Sequence, residues 1–212
     1  MRKPFDLSFY LVLDPGLCAG IGLIGTARAA ARNGATMVQL RDKGADTARR
    51  IGNGLALKQA LAGTGTLLIV NDDVDAAVAI GADGLHVGQD DAAVGAARAR
   101  LGPDKILGLS VETEALAASI DPALVDYAGI GPVFATATKP DHKLPIGMDG
   151  LARLAAACPV PAVAIGGLKA CHVADVLKAG AEGLAVVSAV CGMPDPGKAA
   201  RALAIAIEKE RP

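Results

Sequence analysis

The stretch Asn33-Gly34-Ala35-Thr36-Met37-Val38-Gln39-Leu40-Arg41-Asp42-Lys43 holds a helix stop, a short apolar run and an abrupt polar end. Glycine just past a helix tolerates the left-handed turn that returns the chain to a sheet. The apolar run that follows fits a buried strand. Side chains alternate along a strand, so Gln39, Arg41 and Lys43 point the same way. One amide and two cations on one face suit an anionic ligand that also hydrogen-bonds to an amide. The plainer account is an exposed, ion-paired surface.

The same Gly-Ala turn recurs at Ile80-Gly81-Ala82 and Ala179-Gly180-Ala181. Short β-branched runs predict strands over 9–14, 36–41, 66–71, 84–87, 105–110, 125–130, 160–165 and 183–188. Alanine-rich stretches with apolar residues at helical spacing predict helices over 23–33, 47–61, 74–80, 92–101, 112–119, 150–157, 170–179 and 197–208. No linker, low-complexity run or composition shift separates these units, so the expectation is a single domain over 1–212. Eight parallel strands with crossover helices close most naturally into a (β/α)8 TIM barrel. An open doubly wound sheet is the alternative. It would usually carry a Gly-rich turn after the first strand, and Asp14-Pro15-Gly16-Leu17 does not match Gly-x-Gly-x-x-Gly.

The 212 residues are 52% hydrophobic but only 2% aromatic, so the core must be built from Ala, Val, Leu and Ile. The absence of tryptophan and the scarcity of tyrosine and phenylalanine argue against stacking platforms for single-stranded nucleic acid. A formal net charge of −1 gives no broad basic field for DNA or a membrane surface. Cys18, Cys158, Cys171 and Cys191 show no Cys-x-x-Cys spacing, which fits a reducing cytoplasm. The apolar stretch between Asp6 and Asp14 is too short for a signal peptide, and 154–168 is broken by Pro159, Pro161, Gly166 and Gly167. A soluble enzyme of small molecules is expected; the oligomeric state, including a homo-oligomer, is open.

In a barrel the active site lies at the carboxyl ends of the strands. Asp72 and Asp91 follow neighbouring strands and can converge on one cation, for which oxygen-only ligation suits Mg2+. Either could equally cap the next helix, and Asp73 and Asp90 are open substitutes. Thr136-Ala137-Thr138-Lys139 offers two hydroxyls and an ammonium as an oxyanion cradle, or an ordinary exposed loop. Gly166-Gly167 allows close backbone approach, and Val187-Ser188 supplies amides where this architecture usually binds phosphate. His86 fits a buried, hydrogen-bonded residue better than a base. His142 lies in a charged loop and His172 opens a helix; no Ser/His/Asp order or His-x-x-x-His spacing supports hydrolysis or zinc. Two anion sites follow, one cationic and metal-assisted, one built of backbone.

Taken in order, Val38-Gln39-Leu40-Arg41-Asp42-Lys43, Val70-Asn71-Asp72, Gly84-Leu85-His86-Val87-Gly88-Gln89-Asp90-Asp91, Gly108-Leu109-Ser110, Gly131-Pro132-Val133-Phe134 with Thr136 to Lys139, Ala164-Ile165-Gly166-Gly167 and Val186-Val187-Ser188 resemble the thiamine-phosphate synthase family. The resemblance implies condensation of an aminopyrimidine diphosphate with a thiazole phosphate, releasing pyrophosphate. It would place Gln39, Leu40, Arg41, Asp42, Lys43, Asn71, Ser110 and Lys139 at the pyrimidine diphosphate, with Asp42, on the opposite strand face, structural. Arg41, Lys43, Ser110 and Lys139 would be the catalytic set, and Asp72 and Asp91 the Mg2+ ligands. Thr136, Ala137, Thr138, Gly167, Val187 and Ser188 would receive the thiazole phosphate. The rivals are a thiazole tautomerase-like proton-transfer enzyme, which usually carries a histidine near the sixth strand end, and a non-catalytic phosphate-binding paralogue. Two places depart from the family pattern: the charged loop 141–148, and Leu13 where a small polar residue is common, which bears on pocket shape.

Overall fold

Each Gly-Ala turn delivers the chain from a helix to a strand, and Gly34, Gly81 and Gly180 all take positive φ, at 104°, 62° and 90°. The structure, a computed structural model, describes residues 4–88, 94–136 and 144–211. Its strands are β1 (Phe9–Leu13), β2 (Met37–Leu40), β3 (Leu67–Asn71), β4 (Gly84–Val87), β5 (Ile106–Val111), β6 (Tyr127–Ile130), β7 (Ala162–Ile165) and β8 (Gly183–Val186). Helices α1 (Gly22–Ala31), α2 (Thr47–Leu61), α3 (Val74–Ile80), α4 (Val94–Leu101), α5 (Glu114–Ala118), α6 (Gly147–Ala157), α7 (Val173–Lys178) and α8 (Pro196–Glu210) alternate with them. All neighbouring strands pair in parallel and β8 pairs back with β1, closing the barrel. The open-sheet alternative is thereby excluded.

Alternation along the strands builds two apolar layers. Leu11, Leu13, Val38, Leu40, Leu68 and Val70 face outward and pack under the helices, against residues such as Ala27, Ala30, Leu57 and Ala77. Alanine on the helix side lets helices sit close to the sheet. Tyr10, Val12, Met37, Ile69, Ile106, Tyr127, Val163 and Ala185 face inward and fill the barrel. At Gly108 an added Cβ would overlap the Tyr127 ring, so the missing side chain on β5 is the space that Tyr127 occupies.

The polar staples lie at helix starts and at the amino end of the barrel. Asp46, Thr113 and Asp195 accept from the backbone N–H groups of Arg49, Leu116 and Lys198 and cap α2, α5 and α8. Pro196 supplies the first residue of α8, where its missing N–H costs nothing. Buried Arg98 on α4 donates to the Asp126 carboxylate at 2.6 Å and to the carbonyls of Leu124, Gly102 and Lys105. Asp126 also accepts from Leu107 N–H at 2.7 Å, which ties α4 to β5 and to the approach to β6. Among the described residues no helix is long and apolar enough to cross a membrane.

Candidate active site

Past the apolar layer, the inward faces of β2, β3, β4 and β5 continue into polar groups, and these line one cavity at the carboxyl end of the barrel with glycine and apolar residues from the other strands. On β2, Gln39 is 4% exposed and sits at the floor. Arg41 and Lys43 follow it on the same side toward the mouth, where Lys43 is exposed. Asn71 ends β3, Ser110 lies on β5, and Thr136 follows β6; all three line the same cavity. Gly166, Gly167, Val187 and Ser188 line its other side. Sites that the sequence could place only strand by strand thus share one space.

Two members of the second-strand stretch point elsewhere. Leu40 is 1% exposed and packs in the outer layer, so its side chain does not reach the cavity. Asp42 turns toward α2: its carbonyl accepts from Arg50 Nε at 3.1 Å, and its carboxylate lies 3.8 Å from Arg49. Neither lines the cavity: alternation along β2 sends Leu40 to the outer face, and Asp42, past the strand end, is held against α2. Leu13 likewise faces the outer layer and does not shape the pocket. Asp90, Asp91, Ala137, Thr138, Lys139 and His142 lie outside the described residues.

The Asp72-Asp73 doublet is resolved by local geometry. Asp73 caps α3, accepting from Ala76 N–H at 2.9 Å, from the Thr47 hydroxyl at 2.8 Å and from Arg50 at 3.0 Å. Burial pushes its carboxyl up, but those hydrogen bonds and the Arg50 charge outweigh it and leave the pKa below the ordinary 3.8. Asp72 adopts φ 64°, a left-handed conformation uncommon outside glycine, while its N–H donates to the His86 carbonyl at 2.9 Å. Asn71 Nδ2 donates to its carboxylate. That turn puts Asp72 on the cavity wall beside Arg41 and Lys43. A carboxylate there offers oxygen to a hard divalent cation, in keeping with Mg2+ chemistry. Among the described residues, no three His, Cys, Asp or Glu side chains cluster as a complete metal site.

The opposite side is backbone. Gly166 and Gly167 take φ 104° and 66°, and an added Cβ on either would collide with the chain at Pro132 or at Phe134 and Ala135. Val133 N–H donates to the Ile165 carbonyl at 2.9 Å and Phe134 N–H to the Gly166 carbonyl at 3.0 Å, so the Gly-Gly turn is stitched to the segment after β6. Val187 opens the turn after β8, its carbonyl accepting from Val190 and Cys191 N–H.

Sequence reasoning missed Tyr10 and Tyr127. Gln39 Nε2 donates to the Tyr10 hydroxyl at 2.8 Å, which lies 2.9 Å from the Tyr127 hydroxyl. Tyr127 in turn lies 3.0 Å from His86 Nδ1, and His86 Nε2 lies 3.0 Å from Ser110 Oγ. His86 is 9% exposed and hydrogen-bonded at both nitrogens, as a buried structural histidine should be. Burial raises the pKa of Tyr10 and, with the neighbouring Tyr10 and Asp126, that of Tyr127. An unpaired hydroxyl in this interior would cost about 1–3 kcal/mol, so the mutual pairing is what admits two phenols to the core. The available signal was inward parity of the chain's two tyrosines, Tyr10 and Tyr127.

The chain matches the family model described as thiamine monophosphate synthase over residues 9–190. It is 52% identical over 207 residues to a thiamine-phosphate synthase of Xanthobacter autotrophicus, covering 98% of each chain. A thiamine-phosphate synthase of Azorhizobium caulinodans is 49% identical over 213 residues, covering 100% of both. Among solved structures, a thiamine phosphate pyrophosphorylase from Pyrococcus furiosus superposes with a TM-score of 0.86 at 34% identity, covering 96% of each chain. Matched in sequence over nearly its whole length and in the closed eight-stranded barrel, this chain belongs to the thiamine monophosphate synthase family.

Proposed function

We propose that the chain is a transferase that condenses 4-amino-2-methyl-5-hydroxymethylpyrimidine diphosphate with 4-methyl-5-(2-phosphoethyl)thiazole, or its carboxylated form, giving thiamine phosphate and pyrophosphate. One observation carries this reading: a single cavity has a cationic side, Arg41 and Lys43 with Asn71 and Asp72, and facing it a backbone side at Gly166, Gly167, Val187 and Ser188. Two phosphorylated substrates would fill the two sides, with Gln39 and Ser110 between them at the floor. The cytoplasmic setting rests on the sparse thiols of the sequence.

Arg41 and Lys43, with Lys139, stabilise the negative charge that grows on the leaving diphosphate. Electron release from the aminopyrimidine ring expels that group and leaves a resonance-stabilised pyrimidine methyl cation. Gln39 holds the ring while the charge develops. The backbone amides of the Gly-Gly turn and of Ser188, with Thr136 and Thr138, hold the thiazole phosphate so that the thiazole nitrogen is next to the cation. No protein nucleophile takes part. Keeping water from the cation is the remaining task, and the packed floor of the barrel serves it. Asp72 and Asp91 would hold Mg2+, which when bound supplies further positive charge to the diphosphate oxygens.

The test is to mix both substrates with the protein and Mg2+ and assay thiamine phosphate and pyrophosphate. Equimolar appearance of the two products is expected. Binding of both substrates with no product would reduce the chain to a ligand-binding protein, and conversion of the thiazole substrate alone would make it a tautomerase.

A further inference from the structure

The hydrogen bonds across the barrel floor obey a counting rule. Four links join five groups in the order Gln39, Tyr10, Tyr127, His86 and Ser110, drawn from β2, β1, β6, β4 and β5. Each link holds one hydrogen, and each phenol has one to give. Burial keeps both phenols protonated. Gln39 Nε2 donates into Tyr10, so the Tyr10 hydrogen goes to Tyr127 and the Tyr127 hydrogen to His86 Nδ1. That nitrogen is therefore bare. His86 is neutral, with its single hydrogen on Nε2 and directed at Ser110 Oγ. At the other end Gln39 has committed its amide nitrogen to Tyr10, which leaves its carbonyl oxygen as the acceptor to offer to the cavity it lines.

The chain of links can also run the other way, and only as a whole. A hydrogen on His86 Nδ1 would have to donate to Tyr127. Tyr127 would then donate to Tyr10, and Tyr10 to Gln39, which must turn over and present its NH2 to the cavity. The hydrogen position on a β4 histidine and the atom that a β2 glutamine shows the ligand are thus one variable.

We propose that these five residues act as one polarised relay, in which Tyr10, Tyr127 and His86 are positioning residues that lock the Gln39 carbonyl toward the ligand and so select a ligand amino group at that point. This deepens the aminopyrimidine reading above and rests on it for the ligand's identity. An exocyclic amine donates to that carbonyl; an oxo group in its place meets oxygen with oxygen. The chain carries 2 tyrosines, and both are in the relay. Packing alone would be served by phenylalanine at either place.

The polarity is read directly by nitrogen-15 NMR. A His142→Gln/His172→Gln variant leaves His86 as the sole imidazole. At neutral pH its Nδ1 should be pyridine-like and its Nε2 protonated. A protonated Nδ1, neutral or as imidazolium, would overturn the relay. Tyr127→Phe removes the donor to Nδ1 and should populate both neutral tautomers; an unchanged spectrum would also count against it. By calorimetry, the wild-type protein should prefer the aminopyrimidine diphosphate over its 4-oxo analogue by about tenfold, the scale of one hydrogen bond turned from favourable to unsatisfied. Tyr10→Phe should narrow that preference. Equal wild-type affinity for the two ligands would sink the selectivity. Binding of neither ligand would instead remove the substrate reading, with the relay still decided by the nitrogen spectra.

Discussion

Asp72 and Asp73 are the same residue type one position apart and end up in opposite roles. The difference is made by the turn after β3. Asp73 keeps extended geometry and caps α3, whereas Asp72 is rolled to φ 64° and faces the cavity. Sequence placed the doublet at the right strand end but left its members open, because strand alternation stops applying where the strand ends. Ala at 73 should cost about 1–2 kcal/mol of stability through the lost cap. Because the Asp73 pKa is lowered on folding, its contribution is present above the ordinary carboxylate range and is lost as pH falls through the folded value. Urea unfolding of wild type and Asp73→Ala at several pH values should therefore show a gap that is steady near neutrality and closes in acid. For Asp72 the expectation is catalytic. Asp72→Ala should lower Mg2+-dependent turnover by about a hundredfold, or ~2.7 kcal/mol of barrier, with the fold intact by circular dichroism. A near-normal rate at limiting Mg2+ would remove Asp72 from the proposed metal site.

Among the elements, the strand 84–87 and the helices 47–61 and 74–80 were read to the residue, and the other strands differ by a residue or two at their ends. Helix α6 begins at Gly147 and not at 150, because Ile146 N–H donates to the Pro132 carbonyl and Gly147 N–H to that of Val133. Those ties cross the barrel rim and leave no trace in local periodicity. The α8 start at Asp195-Pro196 did have a local signal, a capping carboxylate followed by proline at the first turn. Arg98 shows what an alanine-rich helix needs to stay docked. It is 7% exposed and satisfied by three carbonyls and Asp126. Arg98→Ala would take the guanidinium away from the buried Asp126 carboxylate and should cost about 3–5 kcal/mol in chemical denaturation. Turnover per folded molecule should be unaffected, since Arg98 does not line the cavity.

For the whole molecule, the repeat of Gly-Ala turn, apolar run and polar end carried the architecture, and closure by β1 and β8 completes it. Arg41 and Lys43 were legible as a pair because they continue the spacing of Gln39 just past the end of β2, and all three line the cavity. The relay was not, since it requires the relative register of five strands: Tyr10, Gln39, His86, Ser110 and Tyr127 are up to 117 residues apart where they touch. Single-strand parity says that each points inward and nothing about which level each reaches. The placement of those two phenols has a further consequence for measurement. With 0 tryptophans and 2 tyrosines in the chain, its ultraviolet emission comes from Tyr10 and Tyr127. Both are buried beneath the ligand cavity, so no surface phenol dilutes the signal. Titrating aminopyrimidine diphosphate should change tyrosine fluorescence saturably, and thiazole phosphate alone should leave it nearly constant. The protein thus carries its own optical gauge of one half of its cavity, without a label and without turnover.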